Sequence, residues 1–86
     1  MIKHWIHFFE KGFFYTWGIE LPFRLNQGDQ IHHELFSFQG LMRNKETESD
    51  EWAEFTADNE HLEVEYIAID HNAEIEAWLT LPKPLK

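Results

Sequence analysis

Cysteine is absent from the 86 residues, which excludes a disulfide framework, a thiol nucleophile and any thiolate metal site. The absence also fits a reducing compartment, so a cytoplasmic protein is expected. Basic residues are scarce. Seven Lys and Arg face sixteen Asp and Glu, a formal net charge of −9. A nucleic-acid binder draws most of its affinity from basic groups that displace phosphate counterions. Here only Arg43 and Lys45 lie close together, and Glu46 and Glu48 follow at once. Direct binding to nucleic acid or to an anionic membrane is therefore not expected. Long hydrophobic runs are missing too. Lys3, His4 and His7 interrupt the apolar stretch over residues 1–9, leaving it far short of the roughly 18 residues that a membrane span needs. That stretch also lacks the basic region and small-residue cleavage site of a signal peptide, and it reads as a first strand. No Gly-rich phosphate loop or Gly/Ser linker appears. Ser37 and Ser49, the only serines, stand outside any nucleophile-elbow context. No enzyme activity and no cofactor are expected.

What the chain has in quantity is aromatic surface: eight Phe, four Trp and two Tyr. A single domain of this size buries only about 60% of its extended-chain surface, so large side chains decide whether a core forms without metals or disulfides. Residues 1–86 are read as one such domain. Turn signals fall at Lys11 and Gly12, at Asn26 to Asp29, at Asp58 and Asn59, and at His71 and Asn72. The runs between them are rich in aromatic and β-branched residues, the mark of strands.

Residues 2–10 and 13–21 read as a hairpin turning at Lys11 and Gly12. A two-residue loop sets Phe8 opposite Tyr15, Ile6 opposite Trp17 and Ile2 opposite Leu21. That register gathers Ile2, Ile6, Phe8, Phe13, Tyr15, Trp17, Ile19 and Leu21 on one face and pairs Lys3 with Glu20 on the other. Lys-Gly is not the preferred dipeptide for such a turn, so a three-residue loop stays open. Residues 61–69 and 74–81 repeat the pattern around His71 and Asn72. This pairing sets Ala68 against Ile75, Tyr66 against Ala77, Val64 against Leu79 and Leu62 against Leu81. Between the hairpins a third strand is expected, with Ile31, His33 and Leu35 in one phase and Phe36 and Phe38 in the other. A bulge or bend near Leu35 and Phe36 would reconcile them. Pro22 ends the second strand. Residues 44–60 form either a long loop or a short helix, with Thr47 and Asp50 at capping-box spacing and Trp52 and Phe55 on one face.

Five short strands with a bend in the middle suggest an all-β, five-stranded antiparallel barrel of the SH3-like or OB-like kind. A flat sheet with one packed helix is the alternative. At Ile19, Glu20, Leu21 and Pro22, followed by Gly28, Asp29, Gln30 and Ile31, the chain resembles small uncharacterised bacterial proteins with SH3-like barrels. A final hairpin like residues 62–69 and 74–81 is similar to theirs as well. The resemblance implies a fold and brings no catalytic residues with it.

Six histidines raise the question of a metal site. Strand ligands sharing a face sit at i and i+2, and no His-x-His occurs. The neighbours His32 and His33 should point to opposite sides, as should His4 and His7. No metal site is expected. Glu63, Glu65, Glu74 and Glu76 line an alternating outer face, the ordinary place for solvated charge rather than for acid–base work in a dry pocket. The aromatic surplus is the better lead. Trp5, Phe9 and Phe14 fall on the second face of the first hairpin, with His7 and Thr16. Exposed together they would mark an interaction site; covered by the curling sheet they are core. Trp78 stands among glutamates, and an acidic rim around a Trp favours a basic partner. These residues lead to a non-catalytic protein–protein interaction module, self-associating in one version, with Trp5, His7, Phe9, Phe14, Trp78, Glu63, Glu65 and Glu76 as candidate partner-binding residues. An acidic decoy for a nucleic-acid-binding protein, and a small-molecule or metal-binding barrel, are the alternatives.

Overall fold

The structure, a computed structural model, describes residues 1–37, 41–42 and 50–82. Five strands and a two-residue edge strand form one mixed sheet curled into a half-barrel. In chain order the elements are β1 (Ile2–Phe8), β2 (Tyr15–Leu21), β3 (Gln30–His32), α1 (Glu34–Ser37), β4 (Leu41–Met42), α2 (Asp50–Asp58), β5 (His61–Ile69) and β6 (Ile75–Thr80). Across the sheet the order is β3-β5-β6-β1-β2-β4. Every pairing is antiparallel except β1 with β6, which is parallel. That pair corrects the expectation of a wholly antiparallel sheet. Parallel neighbours need a long crossover between them, and the chain between β1 and β6, which includes α2, supplies it. The outermost strands β3 and β4 do not pair with each other among the described residues, so the barrel stays half open.

The first hairpin has the expected register: Ile2 faces Leu21, Lys3 faces Glu20, Ile6 faces Trp17 and Phe8 faces Tyr15. Its loop is the two-residue kind. Phe13 N–H donates to Glu10 O at 2.9 Å, and Lys11 and Gly12 both take positive φ, 56° and 83°. That is the hairpin geometry whose twist matches the strands. The core face of this hairpin is buried as the alternation requires, from Ile6 and Phe8 to Ile19 and Leu21. His4 joins it, fully buried. Its Nδ1–H donates to Ile2 O at 2.9 Å, and its Nε2 accepts the Leu25 N–H at 3.2 Å. Both ring nitrogens are satisfied only in the neutral form, and burial lowers the His4 pKa below the ordinary imidazole value.

Helix α2 closes the core over this face. Trp52 packs against Phe8, Phe13, Tyr15 and Trp17 with ring centroids 5.1–5.6 Å apart. Phe55 shares its side of the helix and also meets Phe8 and Phe13. The helical reading of this segment therefore holds over Asp50–Asp58; Thr47 lies outside the described residues. The third strand is shorter than expected. It stops at His32, and a single helical turn follows, held where Ser37 N–H donates to His33 O at 2.9 Å. This turn, rather than a strand bulge, changes the phase and sends Phe36 onto Trp17, 4.7 Å between centroids. Phe38 lies outside the described residues.

The second hairpin departs from its expected register. Its loop holds three residues instead of two. Asp70 and Glu74 still pair through Asp70 N–H to Glu74 O at 2.9 Å, and Ala73 sits at φ 61°. Asp70 Oδ1 accepts the Asn72 and Glu74 N–H groups at 2.8 and 3.0 Å, a local bond that Asp forms readily in turns. One extra loop residue shifts each pair, so Ile69 faces Ile75, Ile67 faces Ala77 and Tyr66 faces Trp78. A bulge between Val64 and Tyr66 takes the shift back, and Val64 faces Leu79 as expected. Because a one-residue slip turns every side chain over, Ile67 packs towards the core. Tyr66, expected in the core, stands on the outside with 57% of its surface exposed.

Candidate functional site

One face of the sheet is covered by α2 and α1; the other, the open face, carries no helix among the described residues. Strand alternation places Lys3, Trp5 and His7 of β1, Thr16, Gly18 and Glu20 of β2, and Glu76, Trp78 and Thr80 of β6 on the open face. The β5 bulge adds Tyr66 to them.

Aromatic rings follow one another over this face. Phe14 lies 6.3 Å from Phe9, Phe9 is 5.5 Å from His7, His7 is 4.8 Å from Trp78, and Trp78 is 5.3 Å from Tyr66, all between centroids. The strip starts at Phe14 and Phe9, just outside β2 and β1, passes along β1 to His7, and crosses β6 to β5. Its ends are open to solvent, Phe14 at 67% exposure and Phe9 at 47% on one side and Tyr66 on the other. Its middle is fixed from below. His7 is buried, with Nε2 2.5 Å from Glu76 Oε1 and Nδ1 2.9 Å from Thr16 Oγ1. A carboxylate only accepts, so we assign the shared proton to His7 Nε2. The two contacts hold the imidazole plane within 27° of the Trp78 plane, a stacked arrangement.

Trp5 is half-buried and lies beside the strip rather than in it. Its indole covers Gly18, where an added Cβ would come within 2.6 Å of Trp5 Cζ3. Glycine is thus what lets the ring lie flat on the sheet. Its Nε1–H donates to Glu74 Oε1 at 2.8 Å, and Lys3 Nζ sits 4.7 Å from the ring centroid. The expected trio is therefore divided: Phe9 and Phe14 are exposed and adjacent, while Trp5 is a brace across β1, β2 and β6.

The candidate carboxylates separate in the same way. Glu76 is engaged with His7. Glu63, which faces Thr80, is half-buried, and Glu65 at the bulge is exposed. Neither makes an ion pair or a side-chain hydrogen bond among the described residues. Tyr66 belongs to this surface although it was expected in the core, whereas Thr16 and Glu74 lie on it as expected without having been named as partner-binding candidates. The signal for Tyr66 was Asp70, whose capping of the turn sets the loop length and with it the phase of β5.

The histidines elsewhere behave differently from expectation. His32 and His33 were expected on opposite sides, yet their rings stack at 4.7 Å, with His61 edge-on to His32 at 5.2 Å. The strand ends between them, so strand alternation no longer applies. Burial, with His32 beside it, lowers the His33 pKa. His32 and His33 border a cleft of about 380 Å³ between α1 and α2. Among the described residues no three His, Asp or Glu side chains gather as a metal site would require, and no helix is long and apolar enough to cross a membrane. Comparison with protein families, curated proteins and solved structures finds no match.

Proposed function

We propose that this chain is a non-catalytic protein–protein interaction module whose docking surface is the open face of the sheet. The observation that carries the reading is the continuous row Phe14, Phe9, His7, Trp78 and Tyr66, which runs from the end of the first hairpin over β1 and β6 to β5. Aromatic side chains supply large contact area for little loss of rotamer freedom, and Trp and Tyr dominate binding hot spots. Here the central rings are held in place before any partner arrives, which lowers the ordering cost of association. The Thr16, His7 and Glu76 row has the composition of a nucleophile relay, but Thr16 is only 4% exposed. A substrate carbonyl does not reach that hydroxyl, and the row acts to orient the imidazole. Kinship with SH3-like barrels belongs to the same proposal; the curled sheet supports it and the parallel β1·β6 pair counts against it. A cytoplasmic location, resting on the cysteine-free composition, completes it.

Photocrosslinking tests the surface directly. A benzophenone side chain placed at Tyr66 or at Phe14 should give discrete adducts in cells, identified by mass spectrometry. The same group at the exposed Ala57 of α2 should give none. Adducts of equal yield from all three positions, or none from the strip in a folded protein, would overturn the reading.

A further inference from the structure

The interaction reading leaves the chemistry of the partner unstated, and the charge on the open face narrows it. Among the described residues this face carries Glu20, Glu63, Glu74 and Glu76, with Glu65 at the bulge, and one cation, Lys3. Lys3 already shows how the face treats a positive charge, since its ammonium lies over the Trp5 ring. A cation above an aromatic face is attracted by the ring's quadrupole, and the attraction grows as the site is shielded from water. The Tyr66 and Trp78 pair offers a second seat of this kind, bordered by Glu63 and Glu65 on β5 and by Glu76 on β6. Glu76 is occupied by His7, whereas Glu63 and Glu65 are not so engaged.

Resting on that interaction reading, we propose that the strip docks a lysine- or arginine-bearing protein segment, with one cation seated over Tyr66 and Trp78 against Glu63 and Glu65. The apolar remainder of the segment crosses His7 towards Phe9 and Phe14. A second copy is disfavoured, because it would bring the same acidic surface against itself: a two-fold interface pairs each patch with its own equivalent, and each chain carries −9.

The probe is a synthetic peptide alternating arginine with leucine, titrated calorimetrically beside the same peptide with each arginine replaced by neutral citrulline. The arginine peptide should bind, and should weaken markedly as salt is raised because exposed charges are screened. Glu63→Gln/Glu65→Gln should weaken it by about threefold to tenfold, as expected for losing charge at an interface. Trp78→Ala should cost about tenfold or more, the effect of removing a hot-spot ring. The two glutamine changes lie on the surface, so they keep the test decisive should Trp78→Ala unfold. Equal binding of both peptides, or unchanged binding by the Glu63→Gln/Glu65→Gln protein, would overturn the proposal. If neither peptide binds while crosslinks from Tyr66 persist, the interaction surface stands and the cationic segment falls. If the crosslinks are also absent, both readings fall.

Discussion

The two hairpins of this sheet differ by one residue in their turns, and the difference reaches the surface of the molecule. In the β1–β2 hairpin two residues with positive φ close the loop, and the alternation then runs unbroken from Phe8 and Tyr15 to Ile2 and Leu21. In the β5–β6 hairpin a third loop residue, Ala73, turns the near half of β5 over until the bulge at Val64 and Tyr66 restores the phase. The regular hairpin gives Ile6, Phe8, Tyr15, Trp17, Ile19 and Leu21 to the core. The irregular one sends Tyr66 outwards to stand beside Trp78. A bulge is commonly a device for re-aiming a side chain, and here the side chain it re-aims completes the aromatic strip.

Breaking each hairpin at an aromatic residue should separate them most sharply. Phe8→Ala empties a fully buried site under Trp52 and should cost about 3–5 kcal/mol in chemical denaturation. Tyr66→Ala removes an exposed ring with one cross-strand neighbour, Trp78, and should cost about 1 kcal/mol or less. Comparable losses from the two changes would mean that Tyr66 is core after all.

The turns themselves should respond with opposite signs. Gly12 sits at φ 83°, where a Cβ is strained although nothing crowds it. Gly12→Ala should therefore destabilise by about 1 kcal/mol. Ala73 already bears that strain at φ 61°, so Ala73→Gly should stabilise by roughly 0.5–1 kcal/mol. A thermal unfolding series on the two variants would show melting temperatures moving apart from wild type; a shift of both in the same direction would refute the assigned turn geometries.

Titration offers a gentler distinction. His4, in the first hairpin, is held neutral by burial, with Arg24 reinforcing the effect against the Ile2 hydrogen bond. Its folded pKa lies below the unfolded value of about 6.5, so its contribution is complete above that pH. The contribution fades as pH falls from there towards the folded value, because the unfolded chain takes the proton first. Asp70, in the second turn, feels desolvation pushing its pKa up, yet the N–H groups of Glu74 and Asn72 help to hold it below the ordinary carboxylate value. Its contribution is present above the unfolded carboxylate value of about 3.9 and is lost only as pH falls through the lower folded one. Denaturant midpoints should thus decline first below about pH 6.5. That first decline should shrink in His4→Gln, itself less stable throughout, with the remainder carried by His33, whose pKa is lowered too; an undiminished decline would assign it elsewhere.

Much of the fold was legible because pattern and turn agreed. The β1–β2 register followed from its apolar alternation alone, and Pro22 marked the end of β2. Trp52 and Phe55, three residues apart, announced a shared helical face. Legibility failed where one residue decided the phase. Nothing in the alternation of residues 61–69 distinguishes a two-residue from a three-residue loop, since both registers leave apolar side chains on each face. Only the hydrogen bonds of Asp70 select between them. The parallel β1·β6 pair was likewise out of reach, because pairing between strands some 70 residues apart leaves no local trace. As for the site, Phe9, Phe14 and Trp78 were visible as aromatic surplus, and Glu76 and His7 as candidates. Their union into one strip depended on Tyr66, which the misread register had buried.

The position of that tyrosine is therefore what most needs measuring. In a nuclear Overhauser experiment on the isolated protein, the Tyr66 ring protons should show cross-peaks to the Trp78 indole. They should show none to the side chains of Phe8, Val64 or Leu79. Cross-peaks to those core residues, with none to Trp78, would place Tyr66 inside, remove one end of the strip, and leave the open face without its proposed cation seat.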